Sequence, residues 1–329
     1  MIRYGIVGFG LHAIKRLMPG FAQTSNSKVV ALSRRNLEQG REDAKRFDIP
    51  LAFATTEELC QSPDVDVVFV SSPNALHYAD TLTAIKHGKA VLCEKPMAMN
   101  AEEAQQMTSA ARERGVLLGV AQCFRFEDSV RRIRERVQNG DIGKVISIRI
   151  DFTFPGLNSP RQWLHDAKLA GGGPIGDVGV HCIDAMRHIL ASEPISVTAM
   201  TEADQDAGTV ESSALLSLRF GNGTLGSCYV SYRSPYQTPI AIYGTEGSIR
   251  AHDGLTVDHP ITIEVQKGAV IEREELTNYQ TYSRQVDSFS AAFEKKASFP
   301  VPAEEGLQNQ RVLDACYRSA KSRREEKVV

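Results

Sequence analysis

A chain of 329 residues is long for one hydrophobic core and points to two domains. Hydrophobic residues make up 42% and charged residues 24%, and the formal charge is −2, so nothing draws it to nucleic acid or to an anionic membrane surface. No apolar run approaches the roughly 18–20 residues that span a bilayer, and the six cysteines, at 60, 93, 123, 182, 228 and 316, form no C-x-x-C pair that would suggest a zinc cage or disulfide framework.

Taken in order, the chain enters a strand at 2–7 with no apolar signal segment before it. With dispersed cysteines this suggests a reducing, cytoplasmic setting. Gly8-Phe9-Gly10-Leu11-His12-Ala13 follows, and then Leu11, Ile14, Leu17, Met18 and Phe21 recur at helical spacing. Strand, G-x-G-x-x-A and helix form the dinucleotide fingerprint. The first glycine makes a tight turn, the second admits a pyrophosphate to the backbone, and the third small residue lets helix pack on strand. The helix N-terminus offers its amides to the phosphates. A strand at 29–32 ends in Ser33-Arg34-Arg35. The acid that usually grips the adenosine ribose is absent there, and arginine binds phosphate bidentately. The sequence therefore predicts NADP as the preferred cofactor, with NAD possible.

Asn36 caps a predicted helix to about Phe47. The apolar run 65–70 reads as a buried parallel strand, followed by Ser71-Ser72-Pro73-Asn74 and a helix through His77 to His87. A strand at 89–93 delivers Glu94 and Lys95, stiffened by Pro96, to the carboxyl edge of the sheet, where open α/β sheets bind ligands. A helix at 101–114 stops at Gly115, and a strand at 116–121 ends beside Gln122. This alternation of strand and helix predicts a doubly wound parallel sheet.

Beyond Gln122 the rhythm changes. A helix at 127–138 interleaves Arg131, Arg132, Arg134 and Arg136 with acids and reads as a solvated face. A strand at 145–154 leads to a loop, 155–174, holding the only tryptophan, Trp163, and the run Gly171-Gly172-Gly173. Asp177 to His181 opens a helix to about Leu190. At i, i+4 the two side chains share a helix face, and the carboxylate would orient the imidazole for proton transfer. The glycines just upstream read as backbone room for a ligand. A capping Asp177 and a buried structural His181 form the alternative. Strand-like runs at 195–201, 213–220, 224–231, 240–243, 248–251 and 261–266, with turns such as Gly221-Asn222-Gly223, predict an antiparallel sheet. Helices at 282–295 and 303–323 close the chain. No cysteine or histidine spacing supports a metal site.

In combination these pieces resemble the Gfo/Idh/MocA family of nicotinamide-dependent oxidoreductases (glucose–fructose oxidoreductase, inositol dehydrogenase, rhizopine catabolism). The likeness spans nearly the whole chain. It rests on Gly8-Phe9-Gly10, Ser72-Pro73-Asn74 with His77, Glu94-Lys95-Pro96, Gly140-Asp141-Ile142-Gly143, the glycine run, Asp177-x-Gly179-x-His181 and Gly244-Thr245-Glu246-Gly247. It implies an α/β fold: a Rossmann domain at 1–122, then a substrate-binding and oligomerisation domain at 123–329 with a large, mostly antiparallel sheet. The substrate, a sugar or polyol, would lie between them, and a homodimer or homotetramer is implied.

The resemblance makes Lys95, Asp177 and His181 the catalytic set for reversible hydride transfer at a secondary alcohol or ketone. His181 would move the proton, Asp177 orient it, and Lys95 stabilise the oxygen; Lys95 as the direct acid is the other arrangement. Ser33-Arg34 and the Trp163 loop make the chain most similar to NADP-using reductases of the 1,5-anhydrofructose type, with Tyr282 as a further contact to the cofactor. Those enzymes carry a basic residue after the tryptophan; here it is Leu164, and Arg161 would contact the substrate from the other side. Two further readings are a non-redox sugar-processing enzyme with tightly held NAD and a cofactor-sensing regulator. The intact Lys95, Asp177 and His181 weigh against the regulator.

Overall fold

The first sheet is built from β1 (Ile2–Val7), β2 (Ser27–Ser33), β3 (Leu51–Phe53), β4 (Val67–Val70), β5 (Ala90–Glu94) and β6 (Leu118–Ala121) in the computed structural model, which describes residues 1–329. All six run parallel in the order β3-β2-β1-β4-β5-β6. Every residue of β4, β5 and β6 is buried, as continuous apolar runs require when both faces are covered. The strand order reverses between β1 and β4, the point where such sheets open a crevice at their carboxyl edge.

Sequence reading overlooked β3 and the helix Thr56–Gln61. Three residues are too few to display a period, but the helix did carry a signal. Thr55 and Glu58 form a capping box: Glu58 N–H donates to Thr55 Oγ1 at 3.2 Å and Thr55 N–H to Glu58 Oε2 at 3.1 Å. The helix after the fingerprint also departs from expectation. It widens to a π-turn over Ala13–Leu17, with Met18 N–H donating to Ala13 O, before Met18–Phe21. Pro19 explains this, because it has no N–H and its ring crowds the carbonyl four residues back.

Residues Met1–Gln122 with Tyr282–Gln310 form one compact unit, and Cys123–Thr281 with Arg311–Val329 the other. An unbroken second domain over 123–329 is thus corrected: 282–310 returns to the first sheet. The reason lies in its contacts. Tyr4 Oη and Ser290 Oγ share a hydrogen bond of 2.8 Å, and Val120 N–H donates to Val301 O at 3.0 Å. The Phe289 and Phe299 rings meet edge-on at 5.1 Å beside Gly119, where a Cβ would stand 2.6 Å from Phe299.

The second unit carries β7 (Val145–Ile150), β8 (Phe152–Thr153), β9 (Pro194–Glu202), β10 (Ser213–Phe220), β11 (Leu225–Ser231), β12 (Ile240–Gly244), β13 (Ser248–Ala251), β14 (Pro260–Lys267), β15 (Val270–Thr277) and β16 (Glu326–Lys327). Their order is β15-β14-β13-β12-β7-β11-β10-β9-β16, with β8 on β11. Pairing is antiparallel except where β11 meets β7 and β8. Strand β15 escaped the sequence reading because Glu272 to Glu275 put charges on both faces and hide the alternation. It lies at the sheet edge, where charge blocks pairing with another chain. Behind the sheet, Arg125 Nε and Nη2 grip the buried Asp184 at 2.8 and 2.7 Å, fixing the helix Val180–Leu190. Among the described residues no helix is long and apolar enough to cross a membrane.

Candidate active site

The carboxyl edge of the first sheet collects Gly8 after β1, Arg34 after β2, Ser71 after β4, Lys95 after β5 and Gln122 after β6. Gly8 has φ +74°, and a Cβ there would lie 2.5 Å from the Ser72 backbone, so glycine is required by conformation and by space. Gly10 is different. An added Cβ would meet nothing nearer than Gly8 O at 3.7 Å, which leaves the flank of the turn open to a pyrophosphate. Ser71 Oγ and Gln122 Oε1 are buried with no hydrogen-bond partner among the described residues. Buried polar atoms of that kind call for a partner from outside the chain. These residues fit a nicotinamide dinucleotide.

The remaining predicted contacts sort by geometry. Leu11 is exposed and Ala13 fully buried. Phe9 is corrected: its ring is buried against Phe47 at 5.8 Å and its N–H donates to Ser33 O at 3.0 Å, so it braces β1 on β2 from within. Arg34 pairs through Nη1 with Asp43 of the helix Leu37–Arg46, a buried acid that the sequence reading did not single out; Arg35 is exposed. His77 is also corrected. It is fully buried, with Nδ1 2.8 Å from Pro96 O and Nε2 2.8 Å from Ser72 O. Burial pushes its pKa down against the pull of these carbonyls. It ties the Ser71-to-Asn74 loop, whose Pro73 and Asn74 begin the helix Asn74–Lys86, to the turn after β5.

At that turn the Lys95–Pro96 peptide is cis. Glu94 Oε1 lies 2.9 Å from His12 Nε2, and Lys95 N–H donates to Glu94 Oε2 at 3.1 Å. Burial raises the Glu94 pKa, but His12, by charge and hydrogen bond, and then Lys95 outweigh it and hold it at about 2. The helix Thr281–Phe293 brings Tyr282 here, its ring edge-on to His12 at 6.0 Å. Gly20 makes room for it, since a Cβ there would stand 2.6 Å from Tyr282 Cβ.

In the second unit Asp177 lies in a π-turn, Ile175–Gly179, that feeds the helix Val180–Leu190. The expected regular α-helix opens instead with this wider turn, and only from Val180 is it regular. Asp177 Oδ2 accepts from Tyr232 Oη at 3.3 Å and lies 3.9 Å from Arg161 Nη2. The buried His181 ring meets Phe124 edge-on at 4.6 Å and stacks over Phe152 at 6.2 Å. Arg161, Asp177 and Tyr232 thus converge, and His181 is fixed in an aromatic wall. Nothing in Ser231-Tyr232-Arg233 marks Tyr232 in the sequence. Burial pushes its phenol well up, and Asp177 and then Glu211 add to this, so it stays a neutral donor. Trp163 is half-buried on the 3-10 turn Gln162–His165.

The glycine run is not ligand room. A Cβ on Gly172 would lie 1.8 Å from Tyr317 Oη, and one on Gly173 2.0 Å from Glu211 O. The glycines admit these two residues instead.

Residues 2–122 match the oxidoreductase family with an NAD-binding Rossmann fold, and residues 130–250 match the GFO/IDH/MocA C-terminal domain. The 1,5-anhydro-D-fructose reductase of Ensifer adhaerens is 30% identical over 93% of this chain and 92% of its own. The D-xylose 1-dehydrogenase (NADP(+)) 2 of Haloferax volcanii is 28% identical over 97% of both. The crystal structure of the aldose-aldose oxidoreductase from Caulobacter crescentus complexed with glycerol superposes with a TM-score of 0.91, at 28% identity over 99% of both chains. The chain belongs to the Gfo/Idh/MocA family. It is an NAD(P)-dependent oxidoreductase acting on CH–OH groups.

Proposed function

We propose that the protein is an NADP-preferring oxidoreductase that interconverts a secondary alcohol and a ketone on a sugar or related carbohydrate. The observation that carries the reading is Lys95. It stands at the carboxyl end of β5, its main chain tied to a Glu94 that His12 holds ionised, on the same sheet edge as the fingerprint. The sugar-directed relatives support the substrate class.

When bound, the nicotinamide supplies the two-electron acceptor or donor. The chain supplies the proton chemistry. In the alcohol-oxidising direction His181 takes the hydroxyl proton, and Lys95 donates a hydrogen bond to the same oxygen as negative charge builds on it. Asp177, held by Tyr232 and Arg161, orients His181, and Arg161 also meets substrate hydroxyls. His181→Ala should lower turnover far more than cofactor affinity. A change confined to cofactor affinity would refute its role. Non-additive losses in a Lys95→Ala/His181→Ala cycle support action on one substrate atom; additive losses oppose it.

The NADP preference is supported by Arg34. Its Nη1 is on Asp43, and it makes no second side-chain hydrogen bond among the described residues, so Nε and Nη2 remain to take a 2′-phosphate. Binding of NADPH and NADH, followed by the fluorescence of the single tryptophan, Trp163, tests this. Arg34→Ala should weaken NADPH and spare NADH; equal losses would refute the phosphate role. Reduction of 1,5-anhydro-D-fructose and oxidation of D-xylose are the first substrate assays. A homo-oligomer is also proposed. Exposed Met200 and Leu215 stand opposite one another on β9 and β10, and Leu225 is exposed on β11. Light scattering tests it, and a monomer at working concentration would overturn it.

A further inference from the structure

The π-turn that carries Asp177 begins with amide groups that have no intrahelical partner, the usual condition of a helix start. Here the partner comes from far along the chain. Glu211 Oε2 accepts from Gly173 N–H at 2.9 Å, and Oε1 accepts from Ile175 N–H at 3.1 Å and from Tyr317 Oη at 3.2 Å. Gly176 N–H reaches the Tyr317 oxygen. Pro174, between them, has no N–H to satisfy. One carboxylate and one phenol thus take up the opening donors of the segment. The neighbouring Ser212 O accepts from Tyr232 N–H at 2.9 Å, and Tyr232 in turn holds Asp177. Residues 211–212 therefore fix both the turn and the phenol that hydrogen-bonds to the Asp177 carboxylate. Gly172 and Gly173 are glycine so that this pair can approach.

We propose that Glu211, with Tyr317, is the positioning residue for the catalytic segment Asp177–His181, and that turnover requires Glu211 as the carboxylate. This rests on the reading of Asp177 and His181 as proton-handling groups. An ionised carboxyl is acceptor-only and suits three donors, whereas a protonated one spends an oxygen on its own hydrogen. The titratable groups around Glu211 are Tyr317 and Cys316 of the helix Ala303–Ser322, and Tyr232, which feels both Glu211 and Asp177. Burial raises the Glu211 pKa, and the amides and the Tyr317 hydroxyl pull it back. Removing that hydroxyl raises it again, so the active carboxylate appears only at higher pH.

The test uses the full chain as Glu211→Gln, Tyr317→Phe, the double variant and His181→Ala. Hydrogen exchange of the peptide spanning 171–181 is read without substrate, and kcat and KM with NADPH and 1,5-anhydro-D-fructose or with NADP and D-xylose. Glu211→Gln should lose protection in that peptide and lose roughly 10- to 100-fold in kcat, the scale of a small misplacement, with KM held within about 3-fold. Tyr317→Phe should move the acid limb of kcat to higher pH, and the double variant should not show that movement. Unchanged exchange in Glu211→Gln, full kcat in a variant that has lost protection, or an unmoved acid limb in Tyr317→Phe would each overturn the proposal. If His181→Ala retains turnover, the reading of the site fails; if only the Glu211 and Tyr317 variants retain it, the positioning role alone fails.

Discussion

Gly8 and Gly10 look alike in the fingerprint but should fail in different ways when each becomes alanine. At Gly8 the backbone has φ +74°, which costs an L-residue about 1–2 kcal/mol. The new Cβ would also lie 2.5 Å from the Cα and N of Ser72 and 2.9 Å from Ser71 C. All three are backbone atoms of the loop after β4, so about 1 Å of separation must come from moving that loop, a further ~1–3 kcal/mol by the scale of overpacked sites. The sum, about 2–5 kcal/mol, corresponds to a fall in Tm of roughly 5–15 °C. Cofactor affinity should fall too, because the displaced loop carries Ser71. At Gly10 the nearest atom to a new Cβ is 3.7 Å away, so Gly10→Ala should leave Tm within about 2 °C. Its methyl would occupy the space left for the pyrophosphate, and NADPH affinity should drop about 10-fold or more. The assay pairs thermal unfolding of the cofactor-free protein with NADPH titration. A stable Gly8→Ala, or a Gly10→Ala that melts early or binds NADPH normally, would refute the separation of roles.

Three further outcomes follow from named contacts. Glu94 has a folded pKa of about 2, below the ordinary 4.5, so its ionised form stabilises the fold above about pH 4.5 and this is lost as the pH falls toward 2. Urea unfolding should show the gap between wild type and Glu94→Gln narrowing between about pH 5 and pH 3; a constant gap would exclude linkage through this carboxyl. Asp184→Ala removes the buried carboxylate that accepts two hydrogen bonds from Arg125 and should cost about 3–5 kcal/mol with NADPH affinity intact; a loss below about 1 kcal/mol would show that the pair is dispensable. Tyr232→Phe removes a hydrogen bond to the Asp177 carboxylate, worth about 1.5–3 kcal/mol where the partner is charged, and should lower kcat/KM roughly 10-fold; unchanged kinetics would remove Tyr232 from the site.

The first unit was legible because its signals are local. A run such as 65–70 is apolar throughout since a parallel strand covered on both faces needs it. The fingerprint glycines follow from the turn they make, and Lys95 follows from the strand it ends. The family could be recognised for the same reason: its motifs are short segments with local geometry. Locality also explains the errors. His77 and Phe9 sit inside motifs that read as ligand-binding, yet their side chains turn into the protein, and no neighbouring residue records that direction. The charged β15 hid because an edge strand needs no apolar face.

Residue order was therefore enough to specify the parallel sheet, the dinucleotide turn and the family, and to nominate Lys95, Asp177 and His181 as candidates. The tertiary structure alone decided which distant residues support them. Glu211 and Tyr317 stand 34 and 140 residues from Asp177, and Tyr282 returns to the helix at Gly20 from the far end of the chain. A glycine run admits a ligand, a phenol or a carboxylate equally well as far as its own backbone is concerned. Which of these arrives depends on side chains that the sequence places elsewhere and only packing brings together.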